Sequence, residues 1–107
     1  MTERAHAHVA RFNDAVRGGG WETFVTTFAD DATMVFTNVP AGPFTDRAAI
    51  LAGYRAQPPD DTMTVTSVEA VDPDTDRVHF SWDAGGTGTM LLRWRGAELT
   101  GLEITFT

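Results

Sequence analysis

The chain has 107 residues, enough for one domain with a single core and no covalent staples. It carries a formal net charge of −7 and no cysteine, and all eight basic residues are arginine. These counts exclude disulfides, thiolate metal sites, a cysteine nucleophile and lysine Schiff-base chemistry. They disfavour nucleic acid and anionic membrane as partners, since both reward a basic surface. No apolar run is long enough to span a bilayer, and the polar start Met1-Thr2-Glu3-Arg4-Ala5-His6 lacks the apolar stretch of a signal peptide, so a cytoplasmic location is expected.

Thr2 to Arg17 reads as a helix. Thr2 is placed to cap it, Ala5, Val9, Phe12 and Val16 recur at spacings of three and four, and Gly18-Gly19-Gly20 ends it. A second helix carries the stripe Trp21, Phe24, Val25 and Phe28 and stops at Asp30-Asp31. Ala32 to Val39 reads as a strand and Pro40 to Pro43 as a turn. A third helix begins at a Thr45 cap, turns Ile50, Leu51 and Tyr54 inward, and closes before Pro58-Pro59. Then come a strand over Met63–Val71, a turn over Asp72–Asp76, and a hairpin of Val78–Ala84 and Thr87–Arg95 about Gly85-Gly86. The last strand is Leu99–Thr107. Three helices followed by a run of strands imply an α+β domain over residues 1–107, with its helices packed on one face of a curved antiparallel sheet. Such a cone leaves an apolar mouth suited to a small ligand.

The junction Phe28-Ala29-Asp30-Asp31-Ala32-Thr33, followed by Thr45-Asp46-Arg47-Ala48-Ala49-Ile50, resembles the helix-to-strand and third-helix segments of the nuclear transport factor 2-like, ketosteroid isomerase-like superfamily, which includes the SnoaL-like cyclases. The resemblance covers essentially the whole chain. It implies the cone-shaped fold, and it is weak for activity because this fold carries many unrelated ones. Ketosteroid isomerase needs a carboxylate base and two acids on the dienolate oxygen. Matched onto this sequence, its helix tyrosine falls on Phe12, its base on Phe36 (or on Thr37 or Asn38), and its oxyanion aspartate on Met90. None of these supplies the acid, so the isomerase mechanism is disfavoured. The Asp-Arg-Asp cluster of the limonene epoxide hydrolase branch is also not expected, because Arg93 has the wrong strand parity.

Strand alternation sorts the faces. A two-residue loop at Gly85-Gly86 sets His79, Ser81 and Asp83 on the face of Met90, Leu92 and Trp94. The expected pocket wall is then Phe12, Val16, Met34, Phe36, Asn38, Tyr54, His79, Ser81, Met90, Leu92, Leu102, Ile104 and Phe106. Within it His79 is the candidate acid or base, since its ordinary pKa lies near neutrality, and Tyr54 is the candidate donor. The competing reading keeps His79 as a sheet histidine bonded to a neighbour, or turned outward if the loop is longer and the parity flips. Tyr54 can equally be a core tyrosine. Asp83 lies ~13 Å from His79 along an extended strand and cannot orient it.

No metal or other cofactor is expected. His6 and His8 point roughly 200° apart on a helix, and Asp72-Pro73-Asp74-Thr75-Asp76 imitates a calcium loop but has Arg77 where glycine is required. Two functions compete. One is a small-molecule domain of SnoaL-like type with an apolar ligand, with isomerase- or cyclase-like chemistry through His79. The other is a non-catalytic module that forms a homodimer through its outer sheet face, on which this parity exposes Phe80 and Trp82.

Overall fold

The computed structural model describes residues 2–106. Helix α1 spans Glu3–Gly18, and Gly19, at φ 73°, closes it by donating its N–H to the Ala15 carbonyl. Helix α2 is a single turn, Trp21–Phe24, continued by a 3-10 turn over Val25–Thr27. Strand β1 then runs Phe28–Thr37, helix α3 Arg47–Ala56, and strands β2 to β5 cover Met63–Asp72, Thr75–Trp82, Thr87–Arg95 and Glu98–Phe106. Three helices thus lie against a curved five-stranded sheet in an α+β fold.

Several local expectations are corrected. The second helix does not reach Asp30-Asp31. Phe28 already pairs with Leu99, and the register breaks between Phe28 and Thr33, so the two aspartates sit in an irregular stretch of β1 and hold Arg47 and Arg95. Asp46, not Thr45, caps α3, with its carboxylate accepting from the Ala49 N–H at 2.7 Å. Strand β3 starts three residues earlier than expected, and the turn before it is only Pro73-Asp74. The expected strand end at Thr107 lies outside the described residues.

The sheet order is β1-β5-β4-β3-β2, and β1 runs parallel to β5. The sheet is mostly antiparallel, as expected; the parallel pair is the exception, because β1 finds its partner across most of the chain, where no turn fixes direction. The other three pairings are antiparallel, and extra residues at Thr66 and Val71 of β2 and Thr100 of β5 shift the register, irregularities that bend a sheet.

The hairpin β3–β4 decides the faces. Ser81 pairs with Thr87, so five residues, not two, separate the last pair. The Gly86 carbonyl accepts from the Trp82 N–H, and the Trp82 carbonyl from the Gly85 N–H; Gly85 and Gly86 take φ of 122° and 100°, which glycine alone adopts freely. The pairing Val78↔Met90 and Phe80↔Gly88 puts Val78, Phe80 and Trp82 on the concave face with Met90, Leu92 and Trp94. Gly88 is required opposite Phe80: a Cβ there would lie 2.6 Å from the Phe80 ring and 2.8 Å from the Thr105 carbonyl oxygen.

Helix α1 crosses the concave face with Ala5, His8, Val9, Phe12 and Ala15 buried beneath it. Trp21 stacks on Tyr54 at 4.6 Å, and Phe12, Phe24 and Phe28 close the cluster edge-on. Asn13 ties α1 to β2 by satisfying both backbone groups of Met63. Its amide donates to the Met63 carbonyl at 2.9 Å and its oxygen accepts from the Met63 N–H at 2.9 Å. Asn13→Ala is expected to destabilise the domain by about 2 kcal/mol in urea unfolding, because two part-buried backbone groups lose their partner. A change under about 0.5 kcal/mol would mean that water replaces the amide at no cost.

Candidate functional site

Between α1, α3 and the concave face lies a cavity of ≈ 380 Å³, in the range of small-molecule sites. Its sheet wall is Met90, Leu102, Ile104 and Phe106, because even-numbered positions of β4 and, from Leu102 on, of β5 point inward. Phe12 and Tyr54 enter from the helices, Phe36 from β1, and Met63 and Trp82 from the far strands. The mouth is formed by Val39, Ala41, Gln57 and the irregular run Pro59-Asp60-Asp61. That run is latched to the β3–β4 loop. Asp61 accepts from the Ala84 N–H at 2.9 Å, the Asp83 N–H donates to the Thr62 carbonyl at 2.9 Å, and the Thr62 hydroxyl bonds the Asp83 carboxylate.

The floor holds two polar groups. Tyr54 is buried and donates its hydroxyl only to the Met34 sulfur, at 3.3 Å; burial pushes its pKa up. His8 is 2% exposed, and its ring tilts against Phe24 and Phe28. Its Nδ1 has no hydrogen-bond partner. Burial first, and then the nearby Arg11 guanidinium, lower its pKa to about 3. His8 is therefore a neutral imidazole, able to donate or accept one hydrogen bond and too weakly basic to lift a proton from carbon at neutral pH.

Of the expected wall, Phe12, Phe36, Tyr54, Met90, Leu102, Ile104 and Phe106 line this cavity. Phe12, Phe36 and Met90, expected from the resemblance to stand where the isomerase acids would be (with Thr37 and Asn38 as alternatives to Phe36), meet in the cavity as three apolar side chains. The other expected wall residues lie elsewhere. Leu92 is fully buried core, Met34 lies behind Tyr54, and Val16 packs at the core's edge. Asn38 is exposed at the end of β1, donating to the Phe106 carbonyl at 3.0 Å.

His79 and Ser81 are corrected outright. The longer β3–β4 loop flips their parity, and both point away from the cavity. His79 Nε2 sits 3.5 Å from Glu69, whose carboxyl is held below its usual range by Arg77 first and His79 second. Asp83 is likewise not on the cavity wall; Thr62 and then Thr64 lower its pKa at the hairpin tip. The apolar outer face is corrected by the same flip. Phe80 is 1% exposed, Trp82 lines the cavity, and the outer face instead carries Thr and Ser with the pairs Arg77–Glu69 and Arg93–Glu103.

Sequence reasoning missed His8, Met63 and Trp82 on the wall and the whole mouth, Asp60 and Asp61 included; of these His8 and Trp82 had a signal. His8 shares the helical spacing of Ala5 and Phe12, and Val78, Phe80 and Trp82 alternate with His79 and Ser81 as an inward-facing set. The calcium-like run is also taken apart by the fold. Asp72 and Asp74 shape a turn, while Asp76 is buried against Arg4 and Trp94. Among the described residues no cluster of three His, Asp or Glu is placed to hold a metal, and no helix is long and apolar enough to cross a membrane.

Helices over a curved sheet with a cavity between them make this one of the cone-shaped domains of the nuclear transport factor 2-like and ketosteroid isomerase-like class. The chain belongs to the SnoaL-like domain family, whose model matches residues 9–107. No curated protein matches it in sequence. Among solved structures, a candidate isomerase from Bacillus subtilis superposes with a TM-score of 0.82 at 15% identity, over 98% of this chain and 87% of that one. A candidate ketosteroid isomerase from Kribbella flavida gives 0.71 at 21% identity, over 98% and 78%. A hypothetical protein of ketosteroid isomerase-like fold from Catenulispora acidiphila, solved in complex with trimethylamine, gives 0.71 at 22% identity, over 91% and 82%. At these identities the likeness is one of fold.

Proposed function

We propose that this domain binds a small, largely apolar molecule in the cavity and holds its polar atom by a hydrogen bond to His8. The observation that carries the reading is a buried, neutral imidazole among the lining residues of an aromatic cavity. Its Nδ1 is unpartnered and closed off from water, so a ligand oxygen or N–H that meets it through a turn of the ring removes the cost of an unpaired buried atom. Tyr54 is the second available donor, since its bond to a thioether is weak and replaceable. Binding is favoured over isomerase-like proton transfer, because the floor offers two neutral groups and no carboxylate. The small amine bound by the Catenulispora acidiphila protein supports an occupant of this size class.

The test is a thermal-shift screen of ring compounds bearing one carbonyl or hydroxyl. A binder at about ten times its Kd adds roughly 1.4 kcal/mol, or about 6 °C in Tm. That gain is expected to survive His79→Ala and to vanish in His8→Phe. Loss in His79→Ala with retention in His8→Phe would reject the assignment.

A further inference from the structure

The cavity's charges are all of one sign. Asp60 and Asp61 line its mouth, and no arginine is among its lining residues. The chain as a whole carries −7. A carboxylate, phosphate or sulfate ligand would meet two aspartates and find no cation to pair with, which makes an anionic occupant unfavourable. A cation meets the opposite conditions. The electron-rich rings of Phe36 and Phe106 stack at 6.0 Å with planes 1° apart, and Trp82 continues the series at 6.1 Å and 17°. Aromatic faces of this kind attract desolvated ammonium groups. His8 is buried among the cavity's lining residues with its Nδ1 unpartnered, a hydrogen-bonding group that a second polar atom of the ligand can meet when the ring turns.

We infer that the occupant is a hydrophobic ammonium compound, with its cationic nitrogen at Asp60 and Asp61, its apolar body against Phe36, Trp82 and Phe106, and a hydrogen-bonding atom at His8. This inference rests on the small-molecule reading above and narrows it to one chemical class. The neutrality of His8 is consistent with it, since an uncharged imidazole adds no field that repels a cation. The latch between Thr62 and Asp83 and between Asp61 and Ala84 fixes the mouth, so the Asp61 carboxylate is held in place before a ligand arrives.

The test is calorimetric titration of the wild type with phenyltrimethylammonium, with tert-butylbenzene as its uncharged isostere and with benzoate. The cation is expected to bind about tenfold more tightly than tert-butylbenzene, and benzoate to bind weakest. Asp60→Asn combined with Asp61→Asn should reduce that preference to what the rings alone contribute and leave the affinity for tert-butylbenzene unchanged. A ring hydroxyl on the cation should strengthen binding to the wild type and not to His8→Phe. Equal binding of cation and isostere, tighter binding of benzoate, or an unchanged preference in the double variant overturns the ammonium class while leaving the cavity reading in place. No binding by any of the three overturns both.

Discussion

His8→Leu is expected to make the domain markedly more resistant to acid. An unfolded histidine takes up its proton near pH 6.5, whereas His8 in the folded chain does so only near pH 3. As pH falls through that window the unfolded state binds the proton and the folded state does not, so stability drops. The stability is complete above about pH 6.5 and is lost progressively down to about pH 3, amounting to about 3 kcal/mol by pH 4 at 1.36 kcal/mol per pH unit. His8→Leu removes the proton site and should flatten that part of the profile. At pH 7 it should be neutral or stabilising, since it replaces an unpartnered imidazole beside Phe24 and Phe28 with an apolar side chain. Urea unfolding of both proteins at intervals from pH 7 to pH 4 reads the difference directly. Parallel curves would mean that His8 is solvated in the folded protein, and would remove the argument for a dry cavity floor.

The second large effect is expected at Arg4, which never touches the cavity. Asp76 is fully buried at the start of β3. One of its oxygens accepts from Arg4 Nε at 3.2 Å and from Trp94 Nε1 at 3.1 Å, while the other has no partner. Arg4 also donates to the Pro73 carbonyl at 2.8 Å and lies 5.1 Å from the Trp94 ring. One guanidinium thereby joins the start of α1 to the β2–β3 turn and to β4. Arg4→Ala leaves a buried carboxylate uncompensated and is expected to cost about 3 kcal/mol. Adding Asp76→Asn removes the stranded charge and should recover much of that loss, because the neutral amide can still accept from Trp94. A double-mutant cycle in urea measures this, and additive losses would show that the pair is not coupled.

These two sites also show how far the sequence could be read. The helix over Thr2–Arg17, the limits of β4 and the end of the third helix before Pro58-Pro59 follow from periodicity, glycine turns and prolines, because those signals act over a few residues. The cavity wall was legible where the chain alternates cleanly, as at Leu102, Ile104 and Phe106. His79 was misplaced because Gly85-Gly86 suggested the tightest hairpin, and one residue of loop length inverts a strand's faces. The alternation of Val78, Phe80 and Trp82 pointed the other way and was the stronger physical signal, since it stands for three inward-facing side chains, two of them fully buried, against one turn.

By itself, then, the sequence determined the three helices, the strand-rich second half, the single core and the absence of the isomerase acids at Phe12, Phe36 and Met90. Each of these depends on residue type at a local position. Tertiary structure alone decided the parallel pairing of β1 with β5, the seating of Asp76 between Arg4 and Trp94, the convergence of His8 and Tyr54 on one cavity, and the placing of Asp60 and Asp61 at its mouth. Those features join residues up to 72 positions apart, and such pairings are selected by mutual burial and charge, which no local pattern records.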